Sequence, residues 1–254
     1  METLQKIAVP TLAILAFLGL WEFIVWVNDW PNYKMASPSD LPPAFARYSS
    51  LFIEMGWQTL WRTVAGLGLA VIVGTLLGMA MGFSKIARDA LYPLLVGFNA
   101  IPKATLVPVI ALIFIGQHDF NTVLMAFLIS FFPIAVSVGI GLSTLEPEYR
   151  DILRSLGASR VTIFRKIALP KTLPEFFGAL KVSVTLAFIG TNLVEIVSPH
   201  GRGLGALFKS GETNGDYPLM FAVLIALACL GIVLYYAVVA LERIFAGWAE
   251  RPQS

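Results

Sequence analysis

The segment TVAGLGLAVIVGTLLGMAMGF, residues 63–83, contains 21 consecutive residues without a charged side chain. Because a helix rises 1.5 Å per residue, about 20 apolar residues span a bilayer core of about 30 Å. Small residues recur in this segment at every fourth position: Gly66, Ala70, Gly74, Gly78 and Gly82. In lipid, such a stripe lets a second helix approach closely. We therefore predict a transmembrane helix with a packing face; the alternative is chance recurrence in a glycine-rich helix.

The composition of the whole chain indicates an integral membrane protein. Of 254 residues, 57% are hydrophobic and only 13% are charged, and the mean hydropathy is +0.77. Soluble domains average about 25% charged residues. The net charge of +2 and the lack of a basic run argue against nucleic acid as a partner. One cysteine, Cys229, excludes an internal disulfide, and two isolated histidines predict no metal site.

Five further apolar runs are long enough to span a bilayer. One of them, residues 90–116, is interrupted by the residues NAIPKATLVP. The run nearest the N-terminus, residues 7–27, lacks the small-residue cleavage site of a signal peptide, so we interpret it as a retained helix. We predict an all-α polytopic membrane protein of one domain, residues 1–254, with about six spans, one of them broken. The additional runs cover residues 7–27, 90–116, 121–142, 176–197 and 219–241.

Lysine and arginine residues predict the orientation of the chain. With the N-terminus inside, eleven of them lie in cytoplasmic segments and five, including Arg62, lie on the opposite side. This distribution follows the positive-inside rule and predicts that both termini are cytoplasmic. Two outer segments look irregular: residues 28–47 are rich in proline and 198–218 are rich in glycine, which predicts an extended connection and a turn-rich loop.

The cytoplasmic loop 143–174 contains an unusual basic and amphipathic stretch, SLGASRVTIFRKIALP, residues 155–170. Gly157 suits a left-handed stop, and Ser159 can cap a helix over residues 160–168 that ends before Leu169 and Pro170. The apolar residues Val161, Phe164 and Ile167 recur at helical spacing. Such a helix either lies on anionic lipid or docks into a partner protein.

The loop resembles the EAA loop of ATP-binding-cassette (ABC) importer permeases. Gly157, Ile167, Leu169 and Pro170 match the spacing G-x9-I-x-L-P, whereas the Glu-Ala-Ala of that family falls at Asp151 and two non-alanine residues. The segments LPPAF, IPKATLVPVIALIFIG, FFPIAV, LPEFFGALK and LVEIVSPHGRGLGALF resemble, in this order, the nitrate/sulfonate/taurine-type permeases, so the likeness covers nearly the whole chain.

This resemblance implies a type I ABC importer permease fold in a bacterial cytoplasmic membrane. It implies a homodimer, two ATPase subunits, an external solute-binding protein, and a small anionic or heterocyclic solute such as nitrate, taurine, a sulfonate, a thiamine precursor or riboflavin. The residues expected to couple to the ATPase are Asp151, Arg154, Gly157, Ser159, Arg160, Phe164, Ile167, Leu169 and Pro170.

The chain lacks a G-x-x-x-x-G-K-[ST] motif for nucleotide phosphates. We therefore expect no cofactor in this chain, with ATP and Mg²⁺ bound by the ATPase, and no enzymatic activity of its own. An ion-coupled secondary transporter or channel is the main alternative, and a membrane enzyme is a third. An ion-coupled transporter or channel would need charged residues at mid-membrane or inverted repeats. Only Lys103 fits the first requirement, and no repeat is visible in the sequence.

Polar residues at membrane depth are functional candidates by default. The expected pathway residues are Asn99, Lys103, Thr191, Asn192 and Glu195. For Lys103, attraction of an anionic solute and a structural role, either snorkelling or pairing with a buried acid, are left open. For Glu195, an outer gate and a structural role are also open. Lys181 is expected to snorkel.

Overall fold

The computed structural model describes residues 2–31, 33–143, 155, 157, 159–198 and 201–248, without the side chains of residues 2–7, 10, 160, 161 and 164. Asp151 and Arg154 therefore lie outside the described residues. The first half of the chain forms six α-helices and a short 3₁₀ helix at Pro38–Asp40: α1 Glu2–Val27, α2 Leu41–Arg47, α3 Ser49–Phe83, α4 Lys85–Ala100, α5 Lys103–Ile113 and α6 His118–Ser143.

Among the described residues after Gly157, the chain forms a short helix, α7 Arg160–Ile163, and a π-helical turn at Phe164–Ala168. It continues with α8 Leu169–Val197, α9 Leu204–Asn214 and α10 Tyr217–Ala246. Among the described residues, α3, α6, α10 and the helix through α8 are long and apolar enough to cross a membrane. The bent pair α4 and α5 makes a fifth candidate span, and residues 11–27 of α1 form a shorter apolar helix. This architecture agrees with the predicted all-α membrane fold, but the described residues contain four or five candidate spans, whereas about six were predicted, and residues 11–27 are shorter than a span.

The centre of the fold is the contact of α3 with α6 and of α6 with α8. The stripe of small residues on α3 faces α6, and Ala70 is fully buried there. A Cβ atom added to Gly66 would overlap the Cβ of Ala126, and one added to Gly78 would lie 2.6 Å from the Cβ of Val138. Because real Cβ atoms do not approach so closely, the two backbones can pack at this distance only without side chains.

The broken span bends by 91° between α4 and α5. The break falls at Ile101 and Pro102, where Ile101 is extended with φ −65° and ψ 129°. A proline disfavours the helical conformation of the residue before it, which explains why α4 ends here. The interruption predicted from the sequence is thus a corner between two helices.

Three local predictions were wrong. Residues 28–47 are not simply extended, because Pro42 and Pro43 lie in the first turn of α2, where a backbone N–H is not needed. Residues 198–218 contain the helix α9. The helix starting at Arg160 does not end before Leu169 and Pro170 but runs into α8. Proline has no backbone N–H and therefore normally interrupts the hydrogen bonds of an α-helix. The wider π turn just before Pro170 shifts the hydrogen-bond pattern at this point, and the chain continues as a helix.

Candidate functional site

A buried charge cluster lies where α3 and α8 meet the start of α6, and we call this side of the bundle the Glu195 end. Arg62 of α3 is 1% exposed and Glu195 of α8 is 0% exposed. The Nη1 of Arg62 donates to Oε1 of Glu195 at 3.2 Å. The Nε and Nη2 of Arg62 both donate to Oδ1 of Asp119, at 2.9 and 2.5 Å. One guanidinium therefore joins carboxylates from two other helices.

Further donors satisfy the carboxylate of Glu195. The hydroxyl of Thr59 donates to it at 2.9 Å, and the backbone N–H of Gly205 donates to Oε2 at 3.1 Å. Burying a charge in a protein is costly unless it is paired and hydrogen-bonded. The three donor groups, from α3 and from α9, meet that requirement for Glu195.

Glycines of the α8–α9 segment make room for this carboxylate. Gly203 has φ +130°, and a Cβ atom there would overlap Oε1 of Glu195. A Cβ on Gly205 would lie 2.8 Å from the Cβ of Glu195, and one on Gly201 would lie 2.9 Å from the Glu195 carbonyl oxygen. The glycines predicted to make turns instead let the backbone close around Glu195.

The same segment is tied back to α3 and α6. The carbonyl of Arg202 accepts from Nη1 of Arg62, and the backbone N–H of Arg202 donates to Nε2 of His118 at 3.2 Å. The backbone N–H of Leu204 donates to the Thr59 hydroxyl at 2.8 Å. The cluster therefore fixes α3, α6, α8 and α9 to one another at this end.

The predicted pathway residues of α8 take part in helix contacts. The hydroxyl of Thr63 donates to that of Thr191 at 3.0 Å, and both residues are fully buried. The Nδ2 of Asn192 donates to the carbonyl of Phe188 at 2.8 Å. Thr191 and Glu195 thus lie on the face of α8 that contacts α3. The side chain of Asn192 instead bonds within α8.

Sequence analysis placed Arg62 only on the side opposite the cytoplasm and did not identify it as the centre of this buried cluster. A signal for its true position exists: Arg62 precedes Gly66 by four residues, so it continues the stripe of small residues toward α6. A positively charged residue in register with a packing face requires a buried acidic partner, here Glu195.

Lys103 lies at the corner between α4 and α5, and no acid of the described residues forms an ion pair with it. Its ammonium group donates to the carbonyls of Phe98, Asn99 and Ile101 at 2.8, 2.9 and 3.0 Å. A cation is favourable at a helix C-terminus, where the last carbonyls lack intrahelical partners. Lys103 therefore caps α4, and Asn99 contributes its backbone oxygen to that cap.

Lys181 was expected to snorkel, and this prediction was wrong. Its Nζ donates to both carboxylate oxygens of Glu242, at 3.0 and 2.9 Å, and so joins α8 to α10. A charge partner on a neighbouring helix removes the need to reach the membrane surface.

The opposite side of the bundle, which we call the Gly157 end, contains the basic stretch. Gly157 has φ +82°, and a Cβ atom added to it would have no neighbour within 4 Å among the described residues. The Ser159 hydroxyl accepts from the N–H of Thr162 at 3.1 Å. Arg165 and Lys166 are exposed, and Ile167 is half-buried. The side chains of Arg160 and Phe164 lie outside the described residues.

The end of the stretch turns into the membrane helix. Ile163 and Ala168 are buried, whereas Leu169 is 44% exposed and Pro170 is half-buried.

The described part of the chain has no group of three or more His, Cys, Asp or Glu side chains that could hold a metal ion.

Comparisons with known proteins agree on one class. The family profile of the binding-protein-dependent transport system inner membrane component matches residues 66–247. The chain is 32% identical to a formylaminopyrimidine transport permease protein of Halalkalibacterium halodurans, over 95% of this chain and 96% of that protein. It is 30% identical to a riboflavin transport system permease protein of Chloroflexus aurantiacus, over 97% and 94%.

A taurine transport system permease protein of Escherichia coli is 26% identical, over 95% of this chain and 89% of that protein. Among solved structures, an inward-facing form of the MetNI methionine ABC transporter matches with a TM-score of 0.62 at 20% identity, over 78% of this chain and 98% of that chain. This structural likeness establishes the shared fold.

Proposed function

Because the chain belongs to the binding-protein-dependent transport system inner membrane components, the permease subunits of ABC importers for small solutes, we propose that residues 155–170 couple it to an ATPase. One observation carries this proposal: the basic stretch is continuous with a membrane helix. Residues 160–197 form one helical run through the π turn at Phe164–Ala168. A displacement of the stretch by a partner is therefore passed directly to α8, as a shift of a packed helix.

The exposed surface of the stretch suits a partner protein. Arg165 and Lys166 are exposed, and Gly157 and Ser159 begin the helix through a left-handed turn and a side-chain cap. The proposed coupling set also includes Asp151, Arg154, Arg160, Phe164, Ile167, Leu169 and Pro170 on the strength of the sequence motif.

We further propose an assembly of two copies of this chain, two ATPase subunits and one external solute-binding protein. In this assembly ATP and Mg²⁺ are bound by the ATPase, and the permease makes or breaks no bond of the solute. The excess of lysine and arginine supports an orientation with the Gly157 end and both termini in the cytoplasm of a bacterial cell.

The proposed solute is a small nitrogen heterocycle. Two relatives with at least 30% identity are a formylaminopyrimidine and a riboflavin permease, whereas a taurine permease is 26% identical. The position of Lys103 also favours a neutral solute over an anion, because its ammonium group is occupied by three carbonyls. Uptake of formylaminopyrimidine and of taurine into proteoliposomes containing the full importer would separate these classes.

Replacement of Gly157 tests the coupling proposal. In Gly157→Val the new Cβ atom meets none of the described residues within 4 Å, so we attribute the effect to the strain of a valine at φ +82°. We expect at least a tenfold loss of ATPase recovery in co-purification, because the helix is no longer presented correctly.

Gly116→Val is the matched control. Gly116 has φ +78°, also has no atom near its Cβ position, and lies in the turn between α5 and α6. We expect normal ATPase recovery from this variant. Equal recovery from both variants, or ATP-independent uptake by the wild type, would contradict the proposal.

A further inference from the structure

A cavity of about 500 Å³ opens between α3, α4 and α6 at the Gly157 end. One part of its wall is apolar and includes Met81, Pro93 and Ile140. The other part is polar and includes Arg88, Asp89, Tyr92 and Ser143. The cavity thus has the two-sided character of a site for an amphiphile.

Only one nitrogen of the Arg88 guanidinium, Nε, has a hydrogen-bond partner among the described residues. Its Nε donates to the carbonyl of Met81 at 3.2 Å, near the end of α3. In the described ranges, its two terminal nitrogens have neither a hydrogen bond nor an ion pair, and no ion pair joins it to the exposed Asp89. A guanidinium with two free nitrogens on one edge matches the geometry of a phosphate.

The apolar part of the wall is open, since Ile140 is 52% exposed. Phe83 at the end of α3 and Ile86 and Leu94 of α4, which do not line the cavity, are 65%, 84% and 68% exposed on the same helices. In a chain that spans a bilayer, such side chains at a helix end face hydrocarbon rather than water. A water-soluble anion could use Arg88 but not this surface, whereas a lipid could use both.

We propose that this cavity binds one anionic phospholipid, with its phosphate on Arg88 and an acyl chain along the groove between α4 and α6. The inference extends the proposed function, since it uses the proposed orientation, in which this end faces the anionic cytoplasmic leaflet. The bound lipid connects α4 to the last turn of α6, at Ser143, immediately before the loop that holds the coupling motif.

Lipid binding is measured on the purified permease in detergent by native mass spectrometry, with phosphatidylglycerol and phosphatidylcholine as probes. We expect a phosphatidylglycerol adduct that is at least tenfold weaker in Arg88→Gln. Lys85→Gln is the matched control, because it removes the same charge from an exposed residue of α4 that does not line the cavity. We expect this control to bind like the wild type.

A second variant keeps Arg88 and fills the space. Ile140→Trp occupies the wall of the cavity and should also abolish the adduct, so misfolding of one variant does not decide the question. Equal losses in Lys85→Gln and Arg88→Gln, or equal binding of phosphatidylcholine, would overturn the proposal. Competition by inorganic phosphate alone would identify a site for a soluble anion instead. The assay needs no ATPase or solute, so its result is independent of transport.

Discussion

The two ends of the α3, α6 and α8 bundle use charge in opposite ways. At the Glu195 end, Arg62 and Glu195 are almost completely buried and make all their contacts within the chain. At the Gly157 end, Arg165 and Lys166 are exposed to the surroundings. The first arrangement holds helices together, whereas the second leaves charge available for another molecule.

Energies sharpen this contrast. Breaking a buried ion pair by removing one partner costs about 3–5 kcal/mol, because the remaining charge is left uncompensated. An exposed pair contributes about 0–1 kcal/mol. We therefore expect α3 and α8 to stay packed against each other at the Glu195 end during transport. The next four experiments test this difference.

The largest effect is expected for Arg62→Met, which leaves Glu195 and Asp119 without their shared partner. We expect a loss of about 3–5 kcal/mol of stability, measured by thermal unfolding of the detergent-solubilised protein. Lys209→Met is the control, since it breaks the exposed pair with Glu212 and should cost at most about 1 kcal/mol. Similar losses in both variants would refute the distinction between buried and exposed charge.

Gly78→Leu should have the next largest effect. A Cβ atom at Gly78 would lie 2.7 Å from the carbonyl oxygen of Ala135, so the two helices must separate. We expect a loss of about 3 kcal/mol and a lower yield of folded protein. Gly68→Leu lies on the same helix with no atom within 4 Å, and its yield should equal that of the wild type. Normal yield from Gly78→Leu would mean that α6 does not pack here.

Lys103→Met should have a smaller effect, confined to the corner between α4 and α5. The change removes three hydrogen bonds to carbonyls at the C-terminus of α4, and we expect a loss of about 1–3 kcal/mol. Thr105→Val removes one neutral bond to Pro102 at the same corner and should cost less. Unchanged stability with selective loss of anion uptake would instead place Lys103 in the solute pathway.

The smallest effect is expected for a cross-link at the Glu195 end. The hydroxyl oxygens of Thr63 and Thr191 are 3.0 Å apart, so Thr63→Cys with Thr191→Cys brings two sulfurs within disulfide reach. In a Cys229→Ser background we expect full transport by the oxidised protein. Loss of transport that a reductant restores would show that α3 and α8 separate in each cycle.

Periodicity explains which parts of the fold could be predicted from sequence. The four-residue repeat from Gly66 to Gly82 indicated a contact face, and α6 lies against it. The same repeat also includes Arg62, but this residue was considered only for its charge, because composition alone does not show that a helix extends past its apolar part. The run-on of Arg160 into α8 was missed because it depends on a π turn, for which the sequence has no comparable period.

Some residues of the candidate site were recognisable in the sequence, but its central Arg62 and the pairings of its charges were not. Glu195 and Lys103 were recognisable as polar groups at membrane depth, and Gly157 as a left-handed position. Their partners are distant in sequence, since Arg62 and Glu195 are 133 positions apart. The choice between a buried acid, a helix end and water as the partner of a charge is decided by tertiary packing.

The close fit of Gly203 around the Glu195 carboxylate also constrains how this chain can diverge. A residue with a side chain at position 203 would overlap that carboxylate, so it can appear only where position 195 has a shorter side chain. A shorter residue at 195 would in turn leave Arg62 without that partner. We therefore expect positions 62, 195 and 203 to covary as a unit among related permeases, independently of the solute that each one carries.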